Sequence, residues 1–221
     1  MKKLLIALVL LLGVSSIYAQ DKSAKEYKIE GADAYKAKDY QAGYDAFEKS
    51  IQLYEADGKT DTSLYYNVAI CAFKIKNYEK AISYFDRSVE LGYKACKSDL
   101  YKANALKKLG KYDEMVALCE SSGAKCPKYK NKFDDLLFKN YLKSGLEIFN
   151  GAAKMQADAT PLAQSDPDGY TAEMVKVKAK FGESIPLLEK AHSIKPDDET
   201  CKNALRQVYE LLDMQAKAAA L

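Results

Sequence analysis

Small and apolar residues recur along the chain at helical intervals, and one interval pattern keeps returning. After Tyr40 they fall at Gly43, Phe47 and Ser50, after Tyr78 at Ala81, Phe85 and Ser88, and after Tyr112 at Met115, Cys119 and Ser122. These offsets keep the residues on one face of a helix. The stretches upstream carry helical faces of their own: Tyr27, Gly31 and Ala34; Tyr65, Val68, Ala69 and Ala72; Leu100, Ala103 and Leu106. Polar pairs such as Lys38-Asp39 and Lys76-Asn77 stand between the two faces, so each unit predicts two helices joined by a short turn.

A fourth unit follows at Phe181, Ser184, Leu188, Ala191 and Pro196, with its first helix upstream at about Tyr141 to Met155, carrying Gly145 and Ile148. An insertion, residues 156–180, separates the two. Its helix-forming composition on either side of Asp166-Pro167-Asp168-Gly169 predicts that both helices are lengthened and that these four residues form the turn. Leu205, Val208, Tyr209 and Leu212 give residues 199–214 one apolar face, which predicts a terminal helix closing the stack, with Lys217 to Leu221 fraying beyond it.

Tyr78 and Tyr112 are 34 residues apart, and the longer step from Tyr40 to Tyr78 is accommodated by the loop Asp57-Gly58-Lys59-Thr60-Asp61. These residues resemble the tetratricopeptide repeat, a helix-turn-helix unit that stacks into a superhelix. The resemblance implies an all-α, right-handed superhelical solenoid of about four helix pairs (24–56, 62–95, 96–127 and 138–197) plus the terminal helix, across a domain at 20–221. Departures are local. Tyr27 and Tyr65 stand where the family often has Trp, and Met115 and Cys119 replace the usual Ala and Phe. A long penultimate hairpin before a capping helix also resembles an arrangement found in secreted bacterial repeat proteins.

Residues 1–19 look like an export leader: Lys2 and Lys3 precede an apolar run from Leu4 to Val14, and Ala19 offers a small residue for cleavage. The run is too short to span a bilayer, and no cysteine follows the cut to take a lipid. The expected location is the periplasm or the extracellular space. Without the leader, the chain's 34 basic and 31 acidic residues leave a net charge of about +1, which argues against nucleic acid and a charge-driven membrane role. Five prolines and 29% charged residues exclude a disordered linker.

Catalytic chemistry is hard to place. The single histidine, His192, falls on the second helix of the fourth unit, and no phosphate loop, HExxH or nucleophile-elbow pattern occurs. Asp134-Asp135 and Asp197-Asp198-Glu199 read as helix starts. Neither an enzyme, a cofactor nor a metal is therefore expected. Of the five cysteines, Cys71 and Cys119 lie at core-facing spacings. Cys96 and Cys126 bracket the third unit, whose hairpin brings its ends together, which makes them the candidate disulfide.

The resemblance further implies that the first helix of each pair faces a concave groove where a peptide or protein partner docks. On that reading the groove is lined by Lys28, Tyr35 and Lys36, by Tyr66, Asn67, Ile70, Phe73 and Lys74, and by Lys97, Tyr101, Asn104, Lys107 and Lys108. Alternating aromatic and cationic groups suit a peptide carrying carboxylates. Some family members hold a partner's terminal carboxylate with five Lys, Arg or Asn side chains. Lys28, Asn67 and Lys97 match three of those places, while Ala32 and Tyr101 lack the donors. The expected function is a non-enzymatic adaptor or scaffold of the bacterial cell envelope. The alternative is a structural protein that associates with copies of itself through the extended hairpin.

Overall fold

The turn inside each hairpin is built the same way three times. Lys38 and Lys76, each at φ 65°, and Gly110 at φ 74° adopt the left-handed conformation two residues before Tyr40, Tyr78 and Tyr112. This reversal ends the first helix, and the next amide donates back across it: Asp39 N to Ala34 O at 3.0 Å, Asn77 N to Ala72 O at 2.9 Å and Lys111 N to Leu106 O at 3.0 Å. Asp39 and Asn77 then cap the following helix, accepting from the amides of Ala42 and Lys80.

The computed structural model describes residues 22–221; the expected leader, residues 1–19, lies outside them. Three hairpins come first: α1 (Ala24–Lys36) with α2 (Tyr40–Ala56), α3 (Thr62–Lys74) with α4 (Tyr78–Glu90), and α5 (Ala95–Lys108) with α6 (Tyr112–Lys125). A 3-10 turn, Pro127–Tyr129, leads to α7 (Lys130–Ala159), the short α8 (Leu162–Ser165) and α9 (Pro167–Ile194). The chain closes with α10 (Glu199–Leu211) and α11 (Gln215–Ala219). Each of the first six helices packs on the next, then α7 on α9 and α9 on α10, so the described residues form an α-solenoid of helix pairs.

Repeated positions do repeated work. A Cβ on Gly31 would stand 2.7 Å from the Phe47 ring and one on Gly145 2.8 Å from Leu188, so the first and fourth hairpins close by the same helix-to-helix approach. The serines ten places after each tyrosine are buried and satisfied: Ser50 donates to Ala24 O at 2.6 Å, Ser88 to Tyr93 O at 2.7 Å and Ser122 to Asp99 Oδ2 at 2.6 Å. The core divides into an aromatic N-terminal cluster around Phe47, Tyr66 and Phe85, a larger one around Phe133, Leu188 and Leu205, and a small one of Ala152, Val177, Phe181 and Val208 in the long hairpin and α10.

Four boundaries differ from expectation. The first helix of the fourth pair begins at Lys130, ahead of residue 138, because Pro127 starts a helical turn that runs straight into it. The insertion's turn lies at Thr160 to Asp166; Asp166-Pro167-Asp168-Gly169 instead opens α9, with Asp166 accepting from Gly169 N at 3.0 Å and Pro167 in the first turn. Asp before Pro is a helix-start signal as much as a turn signal. The terminal helix stops at Leu211, before residue 214, where Asp213 turns left-handed at φ 60°. Lys217 to Leu221 do not fray as a whole, since α11 buries Ala218 and Lys217 pairs with Glu189 at 2.7 Å. Asp198 caps α10 as expected, but Asp134 and Asp135 lie inside α7 and pair with Lys130 and Lys195, both at 2.6 Å.

No helix among the described residues is long and apolar enough to cross a membrane. Cys96 and Cys126 are joined by a disulfide that closes the third hairpin. Closing a loop of that length stabilises by about 3–4 kcal/mol on the chain-entropy account. Cys71, Cys119 and Cys201 are free and buried, and burial pushes their thiols up to about 12, about 12 and about 11, far from the reactive thiolate form at neutral pH.

Candidate functional site: an aromatic, lysine-rimmed groove

Helices α1, α3 and α5 stand side by side and enclose a concavity of about 340 Å³. Seven of the expected groove residues converge on it: Tyr35 and Lys36 from α1, Tyr66, Asn67 and Ile70 from α3, and Lys97 and Tyr101 from α5. Ala32 and Phe47 complete its floor. Asn104 lines an adjoining hollow of about 330 Å³, which shares Lys97 and Tyr101 and continues to Tyr129, Lys132 and Asp135.

The aromatic floor is backed ring against ring. Phe85 stacks on Tyr101 with ring centroids 5.7 Å apart, and Tyr66 meets Phe85 and Tyr93 edge-on, both at 6.1 Å. Phe73 does not line the concavity; it packs edge-on against Tyr78 and Tyr101, both at 5.5 Å, and so buttresses it from behind. Lys97 Nζ sits 5.5 Å from the Tyr66 centroid.

Four expected residues serve elsewhere. Lys28 is ion-paired with Asp61 and donates to Ser63 at 3.0 Å, because Asp61 at the start of α3 holds a carboxylate within reach of α1. Lys74 lies over the Tyr40 ring at 5.7 Å. Lys107 and Lys108 occupy the last turn of α5, where cations favour the helix dipole, and line neither hollow.

Lys94 was not foreseen. It precedes α5 in left-handed conformation, φ 48°, and its Nζ stands 4.5 Å from the Tyr66 centroid and 5.0 Å from that of Tyr93. Ser88 fixes the loop by donating to Tyr93 O, and the disulfide at Cys96 pins the helix that follows. Only the Gly92 turn signal hinted that a loop residue could reach the groove.

The electrostatics are one-sided. The residues around the larger hollow include Lys36, Lys94 and Lys97 and no carboxylate. Lys36 pairs with the exposed Asp33 at 2.9 Å, whereas among the described residues no carboxylate lies within ion-pair reach of Lys94 or Lys97. Tyr66 is buried, and desolvation followed by the phenols of Tyr101 and Tyr35 pushes its pKa up. Tyr35 is raised for the same first reason, with Lys97 opposing. Tyr35, Tyr66, Tyr101 and Lys97 all line the same hollow.

No family model matches the chain. A crystal structure of a TPR repeats protein from Bacteroides fragilis superposes with a TM-score of 0.50 at 22% identity, covering 86% of this chain and 99% of that one. The chain has the tetratricopeptide-repeat fold. Among curated proteins, this tetratricopeptide stack is 28% identical over 91 residues to the Hsp70/Hsp90 co-chaperone CNS1 of Saccharomyces cerevisiae, covering 41% of this chain and 24% of that protein. It is also 28% identical over 116 residues to the protein STIP1 homolog of Dictyostelium discoideum, covering 52% of this chain and 20% of that one. The chain thus spans under a quarter of the length of these relatives.

Within the tetratricopeptide frame, the five-residue carboxylate grip is dismantled. Lys28 is diverted to Asp61, Ala32 and Tyr101 supply no such donor, and only Asn67 and Lys97 remain on the concavity. His192 stands apart on α9, partly buried, with Nδ1 lacking a partner among the described residues.

Proposed function

We propose that the chain is an exported, non-enzymatic interaction module whose groove binds an acidic segment of a protein partner. The observation that carries this is the pairing of Lys94 and Lys97 over the Tyr66 ring in a hollow without carboxylates. A carboxylate entering there meets two ammonium groups and rigid aromatic surface at little ordering cost. Export is supported by the leader pattern and by a disulfide, which persists in oxidising compartments. Cell fractionation with non-reducing electrophoresis tests that part; a cytoplasmic, reduced protein contradicts it.

The groove reading is tested by selecting peptides from a displayed random library. Binders are expected to carry Asp or Glu beside apolar residues, and to bind Lys94→Ala/Lys97→Ala at least about tenfold more weakly. Peptides without acidic preference, or undiminished binding by that variant, would contradict it.

A further inference from the structure

The fourth hairpin carries what the groove lacks. Between Lys154 and Lys176 the chain has no basic residue, its longest such stretch, and Asp158, Asp166, Asp168 and Glu173 fall inside it. Glu173 pairs with Lys176 and Asp166 caps α9, which leaves Asp158 and Asp168 exposed with no cation beside them among the described residues. These residues form the tip of α7 and α9, where α8 packs back on α9. With 30 residues in α7 against 14 in its neighbour α6, the hairpin runs about 20–25 Å past the helix it packs on. Val175, two turns into α9, is 67% exposed, the most exposed large hydrophobic residue described.

The tyrosines point the same way. Elsewhere the buried Tyr44, Tyr65, Tyr141 and Tyr209 and the half-buried Tyr84 donate to carboxylates of the chain: Tyr44 and Tyr84 to Glu48, Tyr65 to Glu55, Tyr141 to Glu120 and Tyr209 to Glu189, at 2.6–2.8 Å. Tyr66 is equally buried as a residue, yet among the described residues its hydroxyl donates to no carboxylate, and it shares the hollow with Tyr35 and Tyr101. That hydroxyl is not sealed off from water, so it opens on the hollow, where an incoming carboxylate could accept from it.

We infer that this carboxylate is supplied by a second copy of the chain, whose hairpin tip enters the groove with Asp158 and Asp168 against Lys94 and Lys97. The contact is heterologous, tip to groove, so each molecule keeps one free tip and one free groove and further copies can add. The inference rests on the groove being an acid-binding surface and adds the identity of the occupant.

Sedimentation velocity of the leaderless chain, residues 20–221, across a concentration series, at low and high salt, tests it with two variants that keep the core and the Asp166 cap intact. These are Lys94→Ala/Lys97→Ala in the groove and Asp158→Asn/Asp168→Asn at the tip. The wild type is expected to gain mass with concentration and lose it with salt, and each variant alone to remain monomeric with an unchanged circular dichroism spectrum. Their equimolar mixture, which restores one intact tip and one intact groove, is expected to form a one-to-one pair. A wild type that stays monomeric throughout, or variants that associate as it does, would overturn the inference. If the wild type is monomeric but still binds library-selected acidic peptides through Lys94 and Lys97, the occupant is another protein and the groove reading survives. If neither association nor peptide binding occurs, both fail.

Discussion

The first two hairpins show two faces built from the same residue type used in opposite ways. Tyr44 on α2, Tyr65 on α3 and Tyr84 on α4 each donate to a glutamate of the chain, and the surface around Tyr65 and Tyr84 is acidic, with Glu55, Glu79, Asp86 and Glu90 beside Arg87. Glu48 helps push the Tyr84 pKa up and takes Tyr44 to about 12, after burial as the first cause in both. On the concave side, Tyr35, Tyr66 and Tyr101 face one another and two unpaired lysines. Buried hydroxyls are normally satisfied within the fold. On the function proposed above, the first face is finished by folding and the second is left open to water and to a partner.

Removing what the two faces share has the largest effect. Phe85 is fully buried and touches both Tyr66 and Tyr101, so Phe85→Ala is expected to cost about 3–5 kcal/mol in urea unfolding and to abolish groove binding. Next comes the disulfide: Cys96→Ser/Cys126→Ser is expected to lose about 3 kcal/mol and to weaken binding through the freed Lys94 loop, measured by denaturation and peptide titration. The comparison itself is sharpest in a pair of subtler changes. Glu48→Ala strands two phenols and is expected to cost about 2 kcal/mol without affecting binding. Tyr66→Phe is expected to change stability by less than about 0.5 kcal/mol yet weaken acidic-peptide binding several-fold. Reversal of those two outcomes would mean the phenols are not divided as described. The smallest effect is at the turn, where Lys76→Gly relieves a left-handed lysine and is expected to raise stability by about 0.5 kcal/mol.

The repeat was legible because packing writes itself into spacing: Tyr40, Tyr78 and Tyr112, with their followers, must face the same way for hairpins to stack. The groove's outline followed from which helices lie inside, and Tyr35, Tyr66, Lys97 and Tyr101 fell where that geometry puts them. Long-range pairing is what spacing does not encode. Lys28 is drawn away by Asp61, 33 positions on, and Lys94 is delivered by a loop conformation set through Ser88 and Tyr93. At the hairpin tip, Asp166-Pro167 could open a helix or make a turn, and the local sequence suits both; the backbone takes the helix.

The most direct test of the central claim is a tyrosine-ring NMR titration of the folded chain with acetyl-hexaglutamate amide, using acetyl-hexaglutamine amide as control. The account predicts saturable shifts confined to Tyr35, Tyr66, Tyr93 and Tyr101 with the acidic probe, absent with the neutral one and lost in Lys94→Ala/Lys97→Ala. Shifts centred on Tyr44, Tyr65 and Tyr84, or equal shifts from both probes, would contradict it.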